Sequence, residues 1–169
     1  DVEKKNITTR GEFCSADPGL KTFLTTYDTD NNSFSFGDGV DTKLYKMHGD
    51  LNKAKMIRKR LKNDKDKFYH VMDKVIAKKQ EHINDSVRDL HYKTIKEIKD
   101  YEMFYMPKFN SLQMTRSGEL SGPVKRSLLA LSHYKFYLRL KTKAEETGLK
   151  VHMSDEYKTT MTCCSCLMT

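Results

Sequence analysis

Between Leu51 and Ile98, apolar residues return every three or four positions. Leu51, Ala54, Ile57 and Leu61 open the series, Phe68, Val71, Met72, Val75 and Ile76 continue it, and Ile83, Val87, Leu90, Ile95 and Ile98 close it. Such spacing predicts two long helices, or one broken near Asn63-Asp64, across residues 43–99. On both sides the pattern changes to strands. Upstream, Phe13–Asp17 reads as a short strand halted by Pro18-Gly19. Leu20–Tyr27 sets Phe23, Leu24 and Tyr27 among threonines and reads as a second strand. Asp28–Asn32 is turn chemistry, and Ser33–Phe36 alternates polar with aromatic. Downstream, Tyr101–Met106 is an apolar run closed by Pro107 and predicts a buried strand. A loop is expected over Phe109–Gly122. Pro123 suits a first helical turn and Gly148 the residue past a helix end, with Leu128, Leu131, Leu138 and Ala144 between. Leu149–Met153 predicts the last strand.

The element order β-β-β-α-(α)-β-α-β predicts an α/β chain: a hairpin meander, then strands joined by helical crossovers, in a mixed sheet with helices on its faces. An RNase H-like sheet has this order. In it the first, fourth and fifth strands are parallel neighbours whose carboxyl ends meet at one edge, where α/β sites lie. The 169 residues suit one domain. No apolar run approaches the ~18 residues of a membrane helix. No charged-then-apolar leader opens the sequence, so a signal peptide is not expected. Three of the four cysteines fall within Cys163–Cys166, which is not a secreted disulfide framework. The expected compartment is reducing and intracellular.

The charge is concentrated. Lys46–Lys79 holds twelve Lys/Arg against four Asp/Glu, an excess equal to the whole chain's +8. A basic stripe on one helical element is the footprint of a phosphate-backbone binder, with Lys55, Arg58, Lys59, Arg60 and Lys62 as candidate contacts. The alternative is a solvated helix face.

Three features carry candidate chemistry. Asp17 ends the first strand before Pro-Gly, where a carboxylate can enter a site while the backbone turns closely; the same tripeptide is also an ordinary turn. Cys163 and Cys166 have the C-x-x-C spacing of one zinc knuckle, half of a structural zinc set. Leu167 excludes a c-type haem site. Glu156, just after the last strand, would share the edge with Asp17, or be a solvated loop acid. Asp28–Asn32 resembles the start of a calcium loop, but Ser33 and Gly39 stand where Gly and Glu are needed, so it is read as a hairpin turn. Cys14 is read as a small buried side chain. The six histidines show no metal-binding spacing and are assigned no metal.

Together these motifs resemble the nuclease half of the TnpB transposon proteins and, more closely, their relatives Fanzor. Cys14-Ser15-Ala16-Asp17-Pro18-Gly19-Leu20-Lys21-Thr22-Phe23 is similar to the family's first RuvC motif. Phe104 through Met114 is similar to the second, Ser132–Phe136 through Gly148 to the helix before the ribbon, and Asp155-Glu156 through Cys163 to the approach to the first knuckle. The resemblance covers about residues 12–169. It implies a RuvC-type, RNase H-like sheet over 12–157 with a basic helical insertion at 43–99, preceded by a linker at 1–11 and followed at 158–169 by the first knuckle of a truncated zinc ribbon. It also implies two-metal Mg²⁺ catalysis with Asp17 and Glu156 as ligands, structural Zn²⁺ at Cys163 and Cys166, and DNA and guide RNA as partners. The location implied is nuclear if the host is eukaryotic. In bacterial members the second motif holds a metal-binding Glu; here Pro107 stands there. Adjacent strands lie ~4.8 Å apart, so a carboxylate near the fifth strand could serve instead. Glu102 is rejected, because it lies ~16 Å back along its strand. The third catalytic Asp would follow a complete ribbon, so the chain is read as a fragment, inactive alone. The other reading is a non-catalytic nucleic-acid-binding remnant.

Overall fold

The computed structural model describes residues 11–61, 67–116 and 118–154. Its strands are β1 (Gly11–Pro18), β2 (Leu24–Asp28), β3 (Ser33–Phe36), β4 (Tyr101–Pro107) and β5 (Lys150–Ser154). Its helices are α1 (Val40–Arg60), α2 (Lys67–Ile98), α3 (Ser111–Arg116), α4 (Gly122–Leu131) and α5 (His133–Thr147). The strands form one sheet in the order β3-β2-β1-β4-β5. β1, β2 and β3 pair antiparallel, while β1–β4 and β4–β5 pair parallel. This is the RNase H-like order expected, with β1, β4 and β5 as parallel neighbours. No described helix is long and apolar enough to cross a membrane.

The helical layer is where the apolar stripes meet the sheet. Leu44 and Leu51 of α1, Ile83, Val87, Ile95 and Ile98 of α2, Leu131 of α4, and Phe136 and Leu140 of α5 form one buried cluster with Cys14, Leu24, Phe104 and Met106. Period-2 alternation sends one set of strand side chains into that cluster and the next set away from it. In β1, Cys14 and Pro18 are buried while Phe13, Ser15 and Asp17 are exposed. Helices were expected on both faces. Among the described residues the second face is open: Tyr27, Tyr105 and His152 are exposed there. β4 is therefore half-open rather than fully buried, with Tyr105 38% exposed between buried Phe104 and Met106.

Two local differences have physical causes. The expected loop after β4 contains α3, because the Asn110 side chain accepts the Gln113 backbone N–H at 3.0 Å, an N-cap three residues before a glutamine. The helix expected to run from Pro123 to Gly148 is two helices. Ser132 takes a left-handed φ of 48°, and its hydroxyl donates to the Leu129 carbonyl at 2.9 Å. The end of α4 is satisfied from outside, since His91 Nε2 donates to the Leu131 carbonyl at 2.8 Å.

Asp28 confirms the hairpin-turn reading. It accepts the backbone N–H groups of Asp30 and Asn32 at 3.0 and 2.9 Å and the Tyr101 hydroxyl at 3.0 Å. Burial pushes its carboxyl up, but these hydrogen bonds, with one from the Asn32 side chain, hold it below the usual carboxylate value.

Phe23 is fully buried, and two imidazoles stack on it: His91 at 5.1 Å and His133 at 5.0 Å between ring centroids. Arg139 donates to His91 Nδ1 at 2.7 Å, which fixes the neutral Nε2–H tautomer. Neither ring nitrogen of His133 finds a hydrogen-bond partner among the described residues. Burial pushes both histidines down to about 4, partly offset for His91 by the Leu131 carbonyl. A histidine with a depressed folded pKa binds its proton more readily when unfolded. Stability is therefore full above about pH 6.5 and falls as the pH drops toward 4. Urea titrations are expected to show a loss on the order of 2 kcal/mol per histidine between pH 7 and pH 5, with His133→Leu removing that residue's share of the slope.

Candidate active site

β1 delivers Asp17 to the carboxyl end of the sheet. Ser15 is opposite Tyr105, and Pro107 is opposite Ser154. Two residues further along the parallel pair, Asp17 stands level with Pro107. The ends of β1, β4 and β5 thus form one edge, with Asp17 as its exposed carboxylate. Among the described residues no hydrogen bond or ion pair engages that carboxylate.

The backbone after Asp17 turns back on itself. Pro18 is buried, and the Gly19 N–H donates to the Phe23 carbonyl at 3.1 Å. A Cβ on Gly19 would lie 2.7 Å from the Thr22 carbonyl oxygen, a backbone atom that cannot swing away. Glycine is required here by close approach. The Thr22 hydroxyl donates to Asp38 at 2.6 Å, tying the turn to the segment before α1.

Sequence reasoning missed Asp38, a second carboxylate at this end of the sheet; its only signal was its position just after the third strand. It follows β3, two strand spacings or about 10 Å across from β1, and it braces the turn through Thr22. Glu102 stands at the amino end of β4, away from Asp17. Also missed was an aromatic row on the open face. Phe13 and Tyr105 lie 6.5 Å apart, and His152 stacks on Tyr105 at 5.1 Å with ring planes 18° apart. Alternation with core residues concealed this row inside runs that read as wholly apolar.

The candidate nucleic-acid contacts separate into two kinds. Lys55, Lys59 and Arg60 are exposed on α1. Arg58 is turned inward: its Nε donates to Asp73 at 2.7 Å and its guanidinium lies 4.3 Å over the Tyr69 ring, pinning α1 to α2. Lys62, Glu156, Cys163 and Cys166 lie outside the described residues. Among the described residues no three metal-ligating side chains come together.

No protein-family model matches the chain. Two relatives and one solved structure place it. One is a provisionally named transposase, R186, of Acanthamoeba polyphaga mimivirus, 28% identical over 98% of this chain and 34% of its own length. Another is TnpB-like protein L79 of the same virus, 27% identical over 96% of this chain and 32% of its own length. The third is a solved structure, a CRISPR-Cas12f ternary complex, which superposes with a TM-score of 0.59 at 13% identity over 99% of this chain and 33% of that one. The chain is a relative of the TnpB-like proteins. It spans about a third of the length of the relatives it matches. The structural likeness covers nearly the whole chain, in keeping with the RNase H-like sheet expected from the element order and the RuvC-type fold implied by the four motifs together.

Gly19→Ala is expected to destabilise the chain by about 1–3 kcal/mol, because the new methyl meets backbone rather than a movable side chain. Thermal melts of the two proteins check this, with Gly49→Ala, where a Cβ meets open space, as the control.

Proposed function

We propose that this chain is the nuclease portion of an RNA-guided DNA endonuclease of the TnpB type, with Fanzor as the nearer branch, and that Asp17 is its first catalytic carboxylate. The observation that carries the reading is the placement of Asp17: exposed, unengaged among the described residues, and at the carboxyl edge of the central parallel strand. A hard divalent cation such as Mg²⁺ takes one or two protein carboxylates, with waters and substrate phosphates completing its shell. An unpartnered carboxylate on an open edge fits that donor set. Among the described residues the ends of β1, β4 and β5 offer one carboxylate, with Pro107 and Ser154 beside it, while Asp38 stands about 10 Å across and is engaged by Thr22, so we assign the second to Glu156, two residues past Ser154 in the sequence. When bound, the ion supplies positive charge at the phosphate under attack. Asp17 holds it, Gly19 fixes where Asp17 stands, and the exposed lysines of α1 hold the strand by its backbone. Cys163 and Cys166 are half of a tetrahedral zinc set. A guide RNA selects the DNA by pairing, leaving backbone recognition to the protein.

Pro107, in the place of an acid on β4, favours the second reading, a nucleic-acid-binding module without catalysis. One experiment separates the two. In the full-length protein with Mg²⁺, guide RNA and target DNA, Asp17→Asn and Glu156→Gln are each expected to lower cleavage at least ~100-fold while leaving target binding intact. Undiminished cleavage by either variant removes that residue from the site. Absence of cleavage by the unaltered protein supports the module.

A further inference from the structure

A groove lies between α1 and α4. Its wider part, about 390 Å³, is lined by Tyr45, Lys46, His48, Asp50, Lys53 and Arg126 among others. Three fixed cations and a histidine thus face a single acid. Asp50 is drawn to Lys53, 3.6 Å away, and among the described residues Lys46 and Arg126 have no carboxylate partner. His48 Nε2 is buried there with no hydrogen-bond partner among the described residues. Burial, then the charges of Arg126 and Lys55, push the His48 imidazole below its ordinary value, so the field at the ring is positive. The mouth lies against Pro123 in the first turn of α4, whose N–H groups receive no side-chain cap from Ser121.

A second, narrower pocket of about 180 Å³ adjoins it, sharing Tyr45 and Pro123 and lined also by Leu20, Asp41 and Thr42. Leu20 follows Gly19 in the turn after Asp17. An exposed tyrosine therefore stands between a cationic pocket and the turn that holds the candidate catalytic carboxylate. A second cationic cleft, between α2 and α5, differs in this respect. Of its four cations three are engaged, Lys99 by Asp100, Lys143 by Glu146 and Arg139 by His91, which leaves Lys96 alone without a carboxylate partner among the described residues.

We propose that the α1–α4 pocket seats a backbone phosphate of a nucleic-acid strand lying along this groove, with Arg126 and Lys46 as its principal contacts and the unpartnered His48 nitrogen at its floor. Arginine's planar fork suits two phosphate oxygens at once, and a mobile lysine adds point charge. Two adjacent pockets that meet at Tyr45 and Pro123 offer room for successive groups of a strand, with the phosphate in the cationic pocket and a sugar or base toward Leu20 and Asp41. The proposal rests on the nucleic-acid reading above and adds the residues that meet the strand.

The test uses the whole chain carrying Asp17→Asn, which removes catalysis from the readout. A fluorescent 20-nucleotide single-stranded DNA is titrated by polarisation over a range of salt, and the His48 ring signals are followed by NMR with the same DNA and with inorganic phosphate alone. Lys46 and Arg126 are both exposed, so their substitution leaves the core untouched. Lys46→Gln with Arg126→Gln is expected to weaken binding about 10-fold, to flatten the plot of log affinity against log salt by about 0.7 per lost contact, and to abolish the DNA-induced shift of His48. The paired control, Lys93→Gln with Lys96→Gln on α2, is expected to change none of these. Unchanged affinity and slope in the pocket variant overturn the proposal while leaving nucleic-acid binding in place. A His48 shift with inorganic phosphate but not with DNA overturns the strand in favour of a free anion. No DNA binding by the parent chain at low salt overturns both this proposal and the reading beneath it.

Discussion

Phe23 is the residue on which the turn after β1 and the helical layer close together. Its ring is stacked by His91 from α2 and His133 from α5 and met edge-on by Phe136 at 5.1 Å. Its backbone carbonyl takes the Gly19 N–H, and its own N–H donates to Phe36 at 2.9 Å. The Asp-Pro-Gly turn is thus fastened from below by aromatic packing and from the side by the β3 ladder. This packing stays intact only while both histidines are neutral, because two buried imidazolium ions against one phenyl ring would each lose their hydration without a compensating anion. The position of Asp17 therefore depends on uncharged aromatic contacts that lie beneath it and take no part in chemistry.

Much of this was legible in the sequence. The helical stripe from Leu51 to Ile98, the meander, the parallel strands and the edge at Asp17 all follow from periodicity and from Pro and Gly punctuation, which act locally. What escaped had non-local or capping causes. The break at Ser132 depends on His91, forty residues earlier, satisfying the last carbonyl of α4. The Asn110 cap is a short-range signal hidden in a polar stretch. The open face could not be read from β4, where Met103 and Tyr105 alternate with core residues yet are themselves apolar or aromatic. Asp38 went unread because its role comes from Thr22, sixteen positions away. At the site, Asp17 was legible because Pro-Gly follows it. The α1–α4 pocket was not, because Lys46 and Arg126 lie eighty residues apart and meet only through packing of the two helices.

The basic stretch also proves to be two things. Arg58 is spent on Asp73 and Tyr69, where it sets how α1 meets α2, and so belongs to architecture. Lys55, Lys59 and Arg60 remain exposed on the same helix. A run of positive charge is thus partly self-consumed, and counting residues overstates the surface left for a ligand.

The parallel pairing of β1 with β4 has a kinetic side. Cys14 pairs with Phe104, so about ninety residues of chain must be made before the central strand finds its neighbour. At ribosomal speeds of roughly 5–20 residues per second, β1 waits on the order of 5–20 s with one edge bare. During that interval β2 and β3 can already shield its other edge through short hairpin connections, and α1 and α2 can form locally. The meander precedes the long helices in the chain, so the strand that carries Asp17 emerges with its own cover and is less exposed to pairing with another nascent chain.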